Sequence, residues 1–323
     1  MKIDRKSFLK IAASGGLSAV MGMSGFWPSS WRETGGKLTM VERQSLVMGS
    51  VVSFKVIAPS KDDGYEAIRR GVQAFQEMDR IFSMYRSDSE MAKLSNHSGT
   101  LPIKLSDDAL NLLRNATQFY KNSNGLFDVT IEPAMRRWGF RRDKETSVLP
   151  PNEDELKKLE KIIGADKLII ESDKALLTNT GMAIDMGGIA GGYALDKAIG
   201  LMKKCNIAAA FINFSGDIHC FGESEKGRGW PVKVFNPNTG QVLDKDIELK
   251  NEALSTSGAY QNRRNFGSKR SWGHLFLPLD ARPAEPVSSL TAIHSSAMMA
   301  DAWSTAAYLG SKPPKEVKTI VIK

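Results

Sequence analysis

Cysteine is nearly missing from this chain: among 323 residues there are two, Cys205 and Cys220. That excludes a disulfide framework and a zinc site built from four cysteines, and leaves two semi-buried thiols as the plain reading. Histidine is scarce as well, and His97, His219, His274 and His294 form no pair at metal-ligand spacing. No internal repeat, low-complexity tract or cleanly dividing linker interrupts the sequence. Hydrophobic residues at 41% and charged residues at 25% are ordinary globular usage, which excludes a disordered chain and a polytopic membrane protein. The length suits two domains or one large elaborated domain, and excludes a small stapled scaffold. The net charge of +8 is partly carried by Lys2, Arg5, Lys6 and Lys10 near the start. The mild remainder shows no Lys/Arg cluster interleaved with aromatics, so nucleic acid is not an expected partner.

What is present begins with an address label. Residues 1–30 carry a basic start, Arg5-Lys6-Ser7-Phe8-Leu9-Lys10, and then the mildly apolar stretch Ile11 to Phe26 diluted by Gly, Ser and Ala. This is the pattern of an export signal. It is similar to a twin-arginine signal with Lys6 in the second arginine place, so a periplasmic or otherwise exported location is expected. Trp27-Pro28-Ser29-Ser30 and Gly35-Gly36 break any continuation as a helix, and residues 31–44 read as a linker.

In the body, from residue 45 to 323, alternation over Leu46 to Val56 predicts a strand. Asp63-Gly64 is expected to open a helix with Ile68, Val72, Phe75, Met78 and Phe82 on one face. Ser106 predicts an N-cap for a helix stopping near Gly125, and Asn152 with Glu155 a capping box for a helix ending at Gly164. Lys167 to Glu171 and Ala175 to Thr178 read as a hairpin. After the glycine turn Gly187-Gly188-Ile189-Ala190-Gly191-Gly192 come a helix over 193–204 and a strand over 208–214. Further strands are expected over 230–235, 274–277 and 290–294, with a last helix over 297–309. Helices and hairpins without regular β-α-β alternation indicate an α+β fold, with room for two lobes.

Three features carry chemistry. The glycine turn leaves backbone N–H groups open to an anion at a helix start, although its spacing fits neither the dinucleotide fingerprint nor the P-loop, and close strand-to-helix packing explains it equally. Asp301 and Thr305 lie four apart on one helix face, a hard oxygen pair suited to Mg²⁺; a first-turn acid favourable to the helix dipole is the other reading. His274, before an apolar strand, is a candidate general base or a hydrogen-bonded structural residue. Asp128, Asp185 and Asp217 are acids in loop-like contexts that suggest metal or ribose contacts, or turn residues.

Seven blocks in order resemble one family. They are Met48-Gly49-Ser50; Met78 to Glu90; Gly125-Leu126-Phe127-Asp128 through Pro133; Ile184-Asp185-Met186-Gly187-Gly188-Ile189-Ala190; Asn213-Phe214-Ser215-Gly216-Asp217; Thr256-Ser257-Gly258; and Ala300 to Ala306. Together they are similar to the ApbE-type FAD:protein FMN transferases. The resemblance implies a two-lobed α+β fold related to the T-fold, FAD held between the lobes, and Mg²⁺-assisted transfer of FMN to a Ser or Thr of a target flavoprotein with release of AMP. A membrane-bound electron-transfer subunit is one such target, which makes a membrane surface a compatible setting. By the same resemblance Met48, Tyr85, Leu126, Phe127, Asp128, Asp185, Gly191 and Leu275 are expected at the cofactor. Gly188, Asp301 and Thr305 are expected at Mg²⁺; Asp301, and His274 on the reading of the residues given above, are the candidates for the chemistry. The family usually has Lys where this chain has Gly191, and Asp-Pro and Thr-Gly where it has Leu277-Pro278 and Asp280-Ala281. Two other activities fit the same residues: an FAD pyrophosphatase yielding FMN and AMP, and a non-catalytic FAD-binding protein.

Overall fold

A computed structural model describes residues 38–141, 149–260, 262–266 and 270–323. The export-signal reading and residues 31–37 of the expected linker lie outside the described residues; from Thr39 onward the rest of that linker is a sheet strand instead, because its residues pair with the strand that follows. The fold is α+β, with two compact units, each assembled from separate stretches of chain.

The first unit takes the chain up to Glu77, then Gly191–Thr256 and Thr291–Asp301. Its sheet begins with β1 (Thr39–Val47) and β2 (Ser50–Ala58), an antiparallel pair with Val47 opposite Ser50. The single strand expected over Leu46 to Val56 is therefore two. Met48 (φ 48°) and Gly49 (φ 71°) both occupy the left-handed region, and two such residues reverse the chain in a tight hairpin. Helix α1 (Lys61–Phe82) starts earlier than Asp63-Gly64: the Ser60 hydroxyl accepts the Asp63 N–H at 3.1 Å, and Gly64 sits inside the first turn. A Cβ on Gly64 would come 2.7 Å from Val41, so that glycine serves packing rather than helix initiation. Phe75 on α1 meets Phe54 of β2 edge to face, with centroids 6.3 Å apart.

The second unit takes Met78–Ala190, Ser257–Leu290 and Ala302–Lys323. Its helices include the end of α1, α2 (Glu90–Asn96), α3 (Asp107–Asn122), α4 (Glu132–Arg137) and α5 (Glu153–Glu160). Ser106 caps α3 as expected, and Asn152 and Glu155 form the reciprocal capping box of α5. Helix α5 stops at Glu160 rather than Gly164, which has φ 134° and leads a short 3-10 turn over Ala165–Lys167. β3 (Leu168–Ile170) and β4 (Lys174–Leu177) pair antiparallel, as the hairpin reading requires. Trp138 packs edge to face on Phe266 and donates its indole N–H to the Ala281 carbonyl at 2.8 Å, which closes a small aromatic core.

Helix α6 (Ala190–Met202) starts inside the expected glycine turn and takes in Gly191 and Gly192; it leads to β5 (Ala209–Phe214) and β6 (Asp217–Phe221), followed later by β7 (Ala253–Ser257) and β8 (Ser289–His294). In the first unit's sheet these strands stand in the order β1-β2-β5-β6-β7-β8. The strand expected over 230–235 is broken into Trp230–Val232 and Phe235–Asn236. The one expected over 274–277 is reduced to Phe276–Leu277, because the preceding residues 270–273 end a separate hairpin with 263–266 at Gly273. Helix α7 (Ala297–Tyr308) follows β8, and β9 (Lys318–Ile322) ends the ordered elements. No described helix is long and apolar enough to cross a membrane.

Candidate functional site

In the second unit, α3 ends on a left-handed pair, Asn124 (φ 55°) and Gly125 (φ 80°), which turns the chain toward Leu126-Phe127-Asp128. Ser123 holds that turn, its hydroxyl accepting the Phe127 N–H at 2.9 Å. Leu126 is half-buried, and the Phe127 ring is buried against Phe119. The Asp128 carboxylate is turned into the protein. Its Oδ1 accepts from Thr130 N–H and Oγ1, both at 2.7 Å, and its Oδ2 from Ala165 N–H at 3.2 Å. Burial pushes its pKa up to about 6, against the lowering effect of those hydrogen bonds. Its visible work is to tie the Phe127 loop to the Gly164-Ala165 turn.

Asp185 is the hub of a second group. Its Oδ1 accepts Gly187 N–H at 2.8 Å and its Oδ2 accepts Arg141 Nη2 at 2.5 Å. Arg141 also donates through Nε to the buried Glu132 at 2.9 Å, so one guanidinium joins two carboxylates. Tyr85, with 81% of its surface exposed, lies in the neighbourhood of Arg141. His274 adjoins the same group. Its Nδ1 is buried with no hydrogen-bond partner among the described residues. Burial lowers its pKa and Arg141 works in the same direction, against Asp185 and a hydrogen bond that the ring donates to the Asn262 backbone. Leu275 next to it is buried. Sequence reading named Asp185, Tyr85, His274 and Leu275 but missed Arg141 and Glu132. Only folding shows that pair to be one network, since no local pattern marks it.

A hydroxyl cluster lies at the C-terminal half of α7. Ser257 Oγ is 2.7 Å from Ser304 Oγ and 3.1 Å from Thr305 Oγ1. Gly188 is beside it: a Cβ there would lie 3.2 Å from Thr305 Oγ1 and 3.4 Å from the Phe127 ring. The bare glycine leaves space next to the threonine hydroxyl that any other residue would fill.

In the first unit, Gly192 N–H donates to Asp301 Oδ2 at 3.0 Å. A Cβ on Gly191 would lie 3.5 Å from Asp217 Oδ2 and 3.6 Å from Asp301 Oδ2, so both carboxylates border that position. Desolvation and the neighbouring Asp217 push Asp301 well above the ordinary carboxylate range, and burial pushes Asp217 up to about 6. Met48 is half-buried at the tip of the β1–β2 hairpin. Asp301 and Thr305 are one turn apart along α7, as their spacing requires. No three His, Cys, Asp or Glu side chains among the described residues gather at metal-binding distance. A cation here would rely on one carboxylate with hydroxyl, backbone, water or phosphate oxygens, a hard donor set that suits Mg²⁺.

A family model described as the ApbE family matches residues 48–320. The FAD:protein FMN transferase of Vibrio cholerae serotype O1 is 28% identical over 261 residues, covering 80% of this chain and 78% of that protein. That of Haemophilus influenzae is 27% identical over 261 residues, covering 78% and 73%. The crystal structure of the ApbE protein from Thermotoga maritima aligns with a TM-score of 0.78 at 24% identity, over 88% of this chain and 94% of that one. The flavin transferase ApbE from Vibrio cholerae aligns at 0.74 and 23% identity, over 88% and 98%. At these identities the structural likeness establishes the fold.

Proposed function

Because the chain belongs to the ApbE family, we propose that it is an FAD:protein FMN transferase that moves FMN from FAD to a Ser or Thr of a target flavoprotein, with Mg²⁺ and with release of AMP. The observation that carries this reading is the family match over 48–320, which ends past the helix holding Asp301 and Thr305 one turn apart. Asp301, Thr305 and the Gly188 carbonyl would hold Mg²⁺. When bound, the ion would supply charge neutralisation to the pyrophosphate. Tyr85, Leu126, Phe127, Leu275 and Met48 would contact FAD, with Asp185 on its adenosine side and Asp128 acting by holding the Phe127 loop. Gly191 would bring bare backbone to the pyrophosphate where the family usually has Lys.

The pKa of His274 is lowered, so its imidazole is neutral at pH 7 and able to accept a proton. It takes the proton of the target hydroxyl as that oxygen attacks the FMN-side phosphorus. The bond from this phosphorus to the bridging oxygen breaks, and AMP leaves with that oxygen. Arg141 keeps Asp185 in place during this step. Export to the periplasm, with residues 1–30 as a twin-arginine-like signal, completes the proposal and rests on the sequence pattern.

Incubation of the protein with FAD, Mg²⁺ and a flavoprotein domain, followed by intact-mass measurement, tests the activity. A covalent FMN increment on the domain is expected. Free FMN and AMP without the adduct would instead identify an FAD pyrophosphatase. FAD retained without any product would identify a binding protein.

A further inference from the structure

The block Thr256-Ser257-Gly258 has no role in the chemistry assigned so far, yet each of its residues has a specific contact. Thr256 Oγ1 shares a hydrogen bond with Thr291 Oγ1 at 2.8 Å. Gly258 is required by close approach, since a Cβ would lie 2.5 Å from the Tyr260 ring and 3.1 Å from the Ser288 carbonyl oxygen. Ser257, held between them at the end of β7, reaches α7 and touches both Ser304 Oγ and Thr305 Oγ1.

We propose that Ser257 is a positioning residue that sets the direction of the Thr305 hydroxyl for the metal ion. The proposal rests on the Mg²⁺ reading above and assigns a residue that reading leaves idle. A threonine hydroxyl binds a cation through an oxygen lone pair, so its proton must point away from the ion and needs an acceptor there. Ser257 Oγ is that acceptor at 3.1 Å, and it passes its own proton to Ser304 Oγ at 2.7 Å. The chain Thr305 to Ser257 to Ser304 therefore has one direction when the ion is present. Without Ser257, the Thr305 proton loses this acceptor and is free to swing toward the side where the ion would sit. Groups that orient a metal ligand in this way characteristically matter about 10–100-fold in metal affinity.

Mn²⁺ binding in the presence of FAD, followed by the electron paramagnetic resonance signal of the free ion, reads this without reference to turnover. Ser257→Ala is expected to weaken Mn²⁺ binding about tenfold. Ser257→Thr keeps the hydroxyl and should restore wild-type affinity, which a merely structural role at this position would not require. Ser304→Ala leaves the Thr305–Ser257 bond in place and should have the smaller effect. Melting of each variant in EDTA identifies any loss of fold. If Ser257→Ala proves unfolded, Ser257→Cys carries the test, since a thiol is a weak acceptor of similar size, and it should show the same loss of affinity. Wild-type Mn²⁺ affinity in a folded Ser257→Ala or Ser257→Cys protein would overturn the positioning role and leave the transferase reading standing. Absence of Mn²⁺ binding by the wild-type protein would overturn both.

Discussion

The amide of Gly192 donates to the carboxylate of Asp301 at 3.0 Å, and a Cβ on Gly192 would sit 2.3 Å from the carbonyl oxygen of Ala297. Helix α6 therefore approaches the start of α7 as closely as backbone allows, and only glycine permits it. Gly192→Ala must push the two helices apart, which costs about 1–3 kcal/mol and displaces Asp301. Gly191 differs, because a Cβ there meets only ordinary contacts at 3.5–3.6 Å. Gly191→Ala should melt within a degree or two of wild type while Gly192→Ala melts well below it. Gly191→Lys would place its stem beside Asp217 and Asp301, and we expect FAD binding that is unchanged or tighter. A folded Gly191→Lys protein unable to bind FAD would mean that the site serves another ligand.

Asp301→Asn keeps the shape of the side chain and removes the charge a hard cation needs. Mg²⁺-dependent turnover is expected to fall at least tenfold, or about 1.4 kcal/mol. Rates measured against Mg²⁺ concentration check this, and an unchanged rate at limiting Mg²⁺ would remove Asp301 from the metal site.

Arg141 joins the carboxylates of Glu132 and Asp185, and Glu132 is almost fully buried. Arg141→Met leaves Glu132 with only the more exposed Arg136 as countercharge and should destabilise the protein by about 3 kcal/mol, read from urea denaturation. Glu132→Leu added to Arg141→Met should recover most of that stability. FAD affinity should stay weakened in the double variant, because Asp185 still lacks its anchor. Recovery of both together would show Arg141 to be structural alone.

Burial raises the Asp128 carboxyl from 3.8 to about 6, so its folded value lies above its unfolded value. Between those limits the unfolded chain has released the proton and the folded chain still holds it, and stability falls as pH rises through that window before levelling off above it. The loss amounts to about 3 kcal/mol at 1.36 kcal/mol per pH unit. Asp217, also raised to about 6, slopes the same way. Urea midpoints in EDTA across pH 4 to 7 should show this decline, and Asp128→Asn should make it shallower. An identical slope in the variant would assign the effect elsewhere.

The parts of this protein that depend on neighbours within one helical turn were legible in the sequence. Ser106 and the Asn152–Glu155 pair announced their helices because a cap is a contact three residues long. Asp301 and Thr305 were readable as one face for the same reason, and the ordered motifs placed the chain in its family. The tertiary structure alone decided the rest. Arg141 finds Asp185 across 44 positions, Ser257 finds Thr305 across 48, and Asp128 closes on Ala165 across 37. Such contacts leave no periodic trace, because they are set by how helices and strands pack and not by the step of either. The hairpin at Met48-Gly49 shows the limit from the other side. Alternation runs on smoothly through Leu46 to Val56, and only the left-handed backbone of Met48 and Gly49 reverses the chain in the middle of it.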